Sequence, residues 1–452
     1  MPIAVYILGL SIFALGTTEF MISGLLPQIA ADLAVSIPDA GLLVSAFAFG
    51  MLAGAPAMAV LTLRLPPRVT LLGALAVFVA GQVLGALAPS YGLLMVARVV
   101  TAVATGAFWA VGGVVAVRLV PAHRRARALA VMVGGLTVAN VIGVPLGTVV
   151  GELLGWRAGF WAVAGLAAVG FAGVAVFVPR VAGAEARPDL RAELRAFAGP
   201  RIWVALGMTA VASAAIFGVY SYLSPLLTGV AGLPSGFVPV ALTVFGAGSV
   251  LGVVVGGRVA DAHPFATLYW GVGGLVAALV LLGALAGLPW AAIAVAGLFG
   301  AFGFVINPVL NGRVIGLAGA APTLAASASV SAFNTGNMAG PWLGGLIIEH
   351  AGTAQVPWMG AALAAVAVGV VAAAAGLERR HARRSPVPAG AESVRVPQAS
   401  AAAHLAVLSP AAAGERTRSW GCSPGIRNKI VSSGETTSCY LACGPTEMRD
   451  CR

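Results

Sequence analysis

The sequence predicts an all-α integral membrane protein: twelve transmembrane helices in two six-helix halves, with both termini cytoplasmic. Three observations carry that prediction: a chain almost without charge, uncharged windows of membrane length, and a repeat relating the two halves. Of 452 residues, 59% are hydrophobic and only 9% are charged, against about 25% charged in a soluble domain. No segment before residue 378 has the polar face that a soluble domain needs, which excludes a soluble enzyme.

Fifteen Arg and nine Asp/Glu are spread over residues 1–377, against ten Arg, one Lys and six Asp/Glu in 378–452. Between the scattered core charges lie apolar windows, and about 20 apolar residues suffice to cross a bilayer as a helix. Windows 202–257 and 264–312 are long enough for two crossings each. They break at the turn-forming clusters Leu233-Pro234-Ser235-Gly236 and Gly287-Leu288-Pro289. The twelve expected spans are 3–25, 40–62, 69–88, 92–117, 128–150, 158–179, 202–228, 238–257, 266–286, 290–312, 324–348 and 357–377. Span 3–25 is not a cleaved leader, because no basic residues precede it and polar residues interrupt it.

Basic residues in short loops set the orientation. With a cytoplasmic N-terminus, the inner loops hold Arg64 and Arg68; His123, Arg124, Arg125 and Arg127; Arg180, Arg187, Arg191 and Arg195; Arg258; Arg313; and Arg379, Arg380, Arg383 and Arg384. The outer loops hold Arg157 and no other Arg or Lys. The net charge of +11 is therefore a cytoplasmic collar and not a nucleic-acid footprint.

The halves are duplicated. Gly50-x-x-x-Gly54 corresponds to Gly248-x-x-x-Gly252 at an offset of 198, and Pro145 corresponds to Pro341 at an offset of 196. The expected organisation is an N-terminal bundle 1–179, a cytoplasmic linker 180–201, a C-terminal bundle 202–377 and a disordered cytoplasmic tail 378–452. Glycine and proline at matched positions allow close helix approach and local bending, as two rocking halves require. Gly54, Gly143, Pro145, Gly340 and Pro341 are the hinge or gating candidates.

At this point the chain resembles a known family. The carrying residues are Gly16-Thr17-Thr18-Glu19-Phe20-Met21 through Gly24-Leu25-Leu26-Pro27, Ala40-Gly41-Leu42-Leu43-Val44-Ser45-Ala46 and Gly54-Ala55-Pro56. Gly106-Ala107-Phe108, Leu136-Thr137-Val138-Ala139-Asn140 and Gly155-Trp156-Arg157 extend the pattern. Over residues 1–377 it is similar to major facilitator superfamily transporters of the drug:proton antiporter group. Within that group it resembles the branch of arabinose-efflux-like permeases and actinomycete chloramphenicol exporters.

The resemblance has departures. The superfamily's helix 2–3 loop signature, Gly-x-x-x-Asp-Arg-x-Gly-x-Arg-Arg, has Leu63 at its acidic position, then Arg64, Pro66 and finally Arg68. The second half keeps the acid, as Gly257-Arg258-Val259-Ala260-Asp261. The antiporter signature is reduced on helix 5 to Gly143-Val144-Pro145-Leu146-Gly147, while helix 11 carries it in full from Gly336 to Gly345. The resemblance adds Arg64, Arg68, Gly257 and Asp261 to the gating candidates.

Glu19 and Arg98 are the two charges clearly away from a helix end. Glu19 lies six residues before Leu25, and Arg98 six residues after Gly92. At about 1.5 Å per residue, both then lie roughly 9 Å below the outer surface. A charge at the membrane centre costs about 2.5–3.5 kcal/mol on insertion scales, so the matched depths predict an ion pair. Arg98 also fits the family's helix 4 signature, Arg98 to Gly106, and the resemblance implies proton coupling by Glu19 and Arg98. Phe108, Trp109, Asn140, Tyr220, Tyr222, Asn307, Asn334 and Asn337 are the candidate lining of the substrate cavity. Such walls suit a moderately lipophilic, neutral or weakly cationic compound.

No Walker A motif is present, the only lysine is Lys429, and the five histidines lack metal-ligand spacing. Cys422, Cys439, Cys443 and Cys451 all lie in the tail, in no zinc-binding pattern. No cofactor is expected beyond a proton gradient. The expectation is a monomeric, multi-pass exporter of a small organic compound in a bacterial cytoplasmic membrane, binding lipid but no nucleic acid. The alternative is a sugar or nucleoside permease of the same fold.

Overall fold

The computed structural model describes residues 1–61, 65–180, 197, 199–260, 262–318 and 322–384. Among the described residues every regular element is helical. The first half comprises α1 (Ile3–Asp32), α2 (Ile37–Leu61), α3 (Pro67–Ala86), α4 (Tyr91–Arg118), α5 (Ala122–Leu154) and α6 (Trp156–Phe177). The second comprises α7 (Pro200–Tyr220), α8 (Val238–Val259), α9 (Pro264–Ala284), α10 (Pro289–Ala318), α11 (Pro322–Ala351) and α12 (Val356–Arg384). Eleven of these are long and apolar enough to cross a membrane. In α11, which fills the remaining expected span, Ser331, Asn334, Thr335 and Asn337 interrupt the apolar run. Side chains such as Leu153 and Val176, 78% and 74% exposed, are costly in water but suit hydrocarbon.

The duplication is visible in the packing. α1 packs on α5 and α6, α2 on α4, and α3 on α4 and α6; each pair recurs six helices later, α7 with α11 and α12 included. The repeated glycines create these contacts. A Cβ at Gly54 would lie 2.9 Å from the Val103 Cα, and at Gly252 it would lie 2.2 Å from the Ala301 carbonyl oxygen. Only a hydrogen side chain lets the backbones approach so closely. Gly340 does the same on α7, 2.5 Å from the Ala214 oxygen, and Gly143 on α1, 2.2 Å from the Thr17 hydroxyl.

A helix in each half is irregular. Pro145 offers no N–H to the Val141 carbonyl, and α5 passes through a π turn at Ala139–Gly143 just before it. α7 ends at Tyr220, is followed by a short helix at Leu223–Pro225, and continues as a π turn at Leu226–Val230, so expected span 202–228 is not one straight helix. Helix ends also differ from expectation. α1 runs through Pro27 to Asp32, seven residues past Leu25, because Asp32 accepts from Trp156 Nε1 at 3.0 Å and pairs with Arg157. That pairing also engages Arg157, the one basic residue expected in the outer loops. α12 continues beyond 377 to Arg384, and Glu378 receives Arg313 at 2.7 Å. The rest of the expected tail, with its four cysteines, lies outside the described residues.

The halves meet through α1 with the short helix Leu223–Pro225 that follows α7, α2 with α11, and α5 with α8. The contacts cluster away from the arginine-rich ends of the helices. Ser45 donates to the Met338 carbonyl at 2.8 Å and Ser224 to the Gly24 carbonyl at 3.3 Å. The Tyr222 ring, fully buried, lies between Gly41 of the first half and Gly344 of the second, its hydroxyl donating to the Pro341 carbonyl at 2.8 Å. A Cβ at Gly41 would fall 2.1 Å from that hydroxyl oxygen, so any side chain there pushes the halves apart. Gly41→Ala should therefore depopulate this closed arrangement, and Gly41→Ala with Tyr222→Ala should restore it. Spin-label distances between the ends of α2 and α11 report both, and a wild-type distribution in Gly41→Ala would refute the contact.

Candidate functional site

The site forms where α1, α2, α3 and α4 converge. Arg98 on α4 is 0% exposed, so its guanidinium must be satisfied inside the protein. It donates from Nη1 to the Thr18 carbonyl at 2.9 Å, from Nη2 to the Glu19 carbonyl at 3.3 Å, and from Nε to the Leu43 carbonyl at 3.3 Å. The charge also stacks over the Phe47 ring, 4.3 Å from its centroid. One fork of donors thus ties α4 to both α1 and α2.

The expected ion pair is absent: among the described residues the Glu19 carboxylate makes neither a salt bridge nor a hydrogen bond. Arg98 bonds the backbone of Glu19 instead of its side chain. Counted from the observed helix ends, Glu19 sits thirteen residues before Asp32 and Arg98 seven after Tyr91, so the expected matched depths do not hold. The two residues still meet, because α1 extends past the start of α4. Glu19 is half-buried. Gln82 on α3, fully buried, donates to the Thr18 hydroxyl at 2.7 Å, and its own Oε1 has no partner.

Beside Glu19 begins an aromatic cluster that joins the halves. Phe20 stacks on Phe217 of α7 with centroids 5.2 Å apart and an interplanar angle of 18°. Phe333 and Tyr220 meet Phe217 edge-on at 5.4 and 6.1 Å, and Tyr220 leads on to Phe245 at 4.5 Å. Of the expected cavity residues, only Tyr220 belongs to this cluster. Phe108 is fully buried in its own bundle beside Gly112, and Trp109 packs with Phe47 and Met51 near Arg98. Tyr222 serves the contact between the halves. Asn140 sits in the π turn, donating to the Leu136 carbonyl at 3.4 Å, and half-buried Asn307 begins the second segment of α10. Asn334 and Asn337 are buried, each with an unpartnered Oδ1.

Among the gating candidates, Gly54, Gly143 and Gly340 hold tight contacts, and Pro341 receives Tyr222. Pro145 is buried beside the π turn. Arg68 donates to the Ala175 carbonyl on α6 within its own half. A Cβ at Gly257 would meet nothing within 4 Å, so close approach does not explain that glycine. Arg64 and Asp261 lie outside the described residues. A cleft of about 450 Å³ between α5 and α8 is walled by Thr137, Val138, Val141, Ile142, Ala247, Val250 and Leu251. None of the expected cavity residues lines it.

A family model for the Major Facilitator Superfamily matches residues 8–330. The chain belongs to that superfamily. Over 372 residues it is 41% identical to a Streptomyces lividans protein named Chloramphenicol resistance protein, covering 81% of this chain and 95% of that one. It is 39% identical over 362 residues to the inner membrane transport protein YdhP of Escherichia coli K12, covering 80% and 93%. To the putative transporter AraJ of the same strain it is 30% identical, over 75% and 86% of the two chains. The fold matches an inward-facing, unoccupied bacterial homologue of the human lysosomal transporter Spinster. The TM-score is 0.68 at 16% identity, over 85% and 98% of the two chains. This is a multi-pass membrane transporter of the superfamily.

Sequence reasoning missed Gln82, Phe20 and Phe217. Phe217 was accessible to it, since it stands 198 residues after Glu19, the offset that relates the glycine pairs. Gln82 was a lone amide within an apolar window. The geometry separates the roles of the two charges. Arg98→Lys cannot span three carbonyls on two helices from one ammonium, and each charge-assisted bond lost costs about 1.5–3 kcal/mol. Glu19→Gln breaks no hydrogen bond, and relief of the carboxylate's desolvation offsets the lost attraction to Arg98, so it should cost far less than Arg98→Lys. Thermal unfolding in detergent should show a much lower midpoint for Arg98→Lys only; equal losses in both variants would restore the ion pair.

Proposed function

We propose that this transporter exports a small organic compound, chloramphenicol or a molecule like it, in exchange for protons across a bacterial cytoplasmic membrane. The observation that carries the proposal is the unpartnered carboxyl of Glu19, half-buried beside a guanidinium whose three nitrogens each donate to a backbone carbonyl. A carboxylate locked in an ion pair would resist protonation, whereas a free one can bind a proton and compete with substrate. Arg98 keeps positive potential next to it and fixes the backbone on which it stands.

The relative named for chloramphenicol resistance supports the substrate class. With the arginine-rich ends cytoplasmic, the described contacts between the halves close the outer side, and substrate would be taken from the cytoplasm. Rocking of the halves would then expose Glu19 to the outside, where a proton displaces the substrate.

Purified protein in liposomes tests this directly. An inward proton gradient should drive uphill chloramphenicol transport by wild type, and Glu19→Gln should abolish it while leaving chloramphenicol binding within about threefold. Proton-driven exchange that survives Glu19→Gln would overturn the assignment.

A further inference from the structure

The stack of Phe20 on Phe217 is the one aromatic contact among those described in which a ring of each half lies nearly parallel to the other. Both rings are buried, 4% and 2% exposed, so the slot between them is shut in this arrangement. Phe20 directly follows Glu19, and Phe217 occupies the position in the second half that matches Glu19. Phe333 and Tyr220 press their edges on the Phe217 ring from the second half alone. Tyr220 also meets the Phe20 ring edge-on at 6.2 Å, so Phe20, carried by α1, is held against second-half rings, and this stack with its Tyr220 edge is the seam that must open when the halves part at this level.

We infer that the Phe20–Phe217 stack is a substrate subsite: a planar aromatic ring of the transported molecule inserts between the two phenyl faces as the halves separate. Parting the rings uncovers two apolar π faces beside a carboxylate. An aromatic substrate re-covers both faces and restores the stacking, while an aliphatic one covers them without it. The slot thus selects for compounds carrying a flat ring, and it makes opening easier when such a compound is bound. Phe20 follows Glu19 on α1, about 1.5 Å along the helix axis, so the slot and the carboxyl lie at the same level of that helix. This inference rests on the proposed export of small organic compounds.

The test uses full-length protein in detergent and two probes, chloramphenicol, which carries a nitrophenyl ring, and ethidium. Phe20→Leu and Phe217→Leu should each weaken binding of both probes by about 2- to 10-fold, the worth of one aromatic pair. The double variant should be no worse than the weaker single, because one missing wall already abolishes the slot. Phe20→Tyr should bind as wild type. In saturation-transfer NMR the nitrophenyl protons of chloramphenicol should lose signal in the Leu variants relative to the dichloroacetyl proton, which a merely structural role would not produce. Wild-type affinity in both Leu variants, additive losses in the double variant, or absence of binding of both probes to wild type would each overturn the subsite. Binding that follows this pattern without proton-driven export would leave the subsite standing and defeat the proposed function instead.

Discussion

A guanidinium buried beyond the reach of water has to be paired, and the solution here shapes the first half of the protein. Arg98 is satisfied by three backbone carbonyls and an aromatic face. Carbonyl partners are fixed in space by their helices, so the interaction positions α1 and α2 against α4 as firmly as it solvates the charge. A carboxylate partner would have neutralised Arg98 but would also have consumed Glu19. By using the backbone, the structure keeps both a stationary positive charge and an uncommitted acid in one place. Gln82 adds a further tie, from α3 to the Thr18 hydroxyl.

Contacts within a half and contacts between halves are built differently. Inside each half, glycine stripes bring backbones together: Gly248, Gly252 and Gly256 all face carbonyls of α10. Such contacts leave no room for sliding and suit a rigid body. Across the seam a glycine, Gly246, brings α8 close to the Asn140 carbonyl of α5, and elsewhere single hydroxyls donate to carbonyls of the opposite half and two rings stack. Each such hydrogen bond is worth only about 1 kcal/mol net, and its partners can be replaced by water when the seam opens. Two rigid bodies joined by replaceable contacts are what alternating access needs. Tyr222 sets how closely they can approach, because Gly41 leaves no tolerance around its hydroxyl.

The helices themselves were legible, because charge-free windows of membrane length admit few alternatives. Their ends were not. Nothing in Gln28-Ile29-Ala30-Ala31-Asp32 stops a helix, and the contact that anchors Asp32 comes from residues more than a hundred positions away. The extension of α12 follows from Glu and Arg being good helix formers, with Glu378 tied to Arg313. Glu19 and Arg98 were found as misplaced charges, yet their relation was misread, since backbone acceptors carry no residue signature. The amide and aromatic lining was partly misassigned because polarity or ring character in a span does not say which face it occupies. The repeat offset, applied to single residues and not only to glycine motifs, would have pointed to Phe217.

The central claim is that Glu19 is the acid whose protonation is exclusive with bound substrate, and proton release on binding tests it most directly. Chloramphenicol added to protonated, weakly buffered wild-type protein in detergent should release close to one proton per molecule bound, followed by a pH indicator or by calorimetry in buffers of different ionisation heat. Glu19→Gln should bind the compound and release none. Proton release of the same size from Glu19→Gln would contradict the account, because the coupled acid would then lie elsewhere.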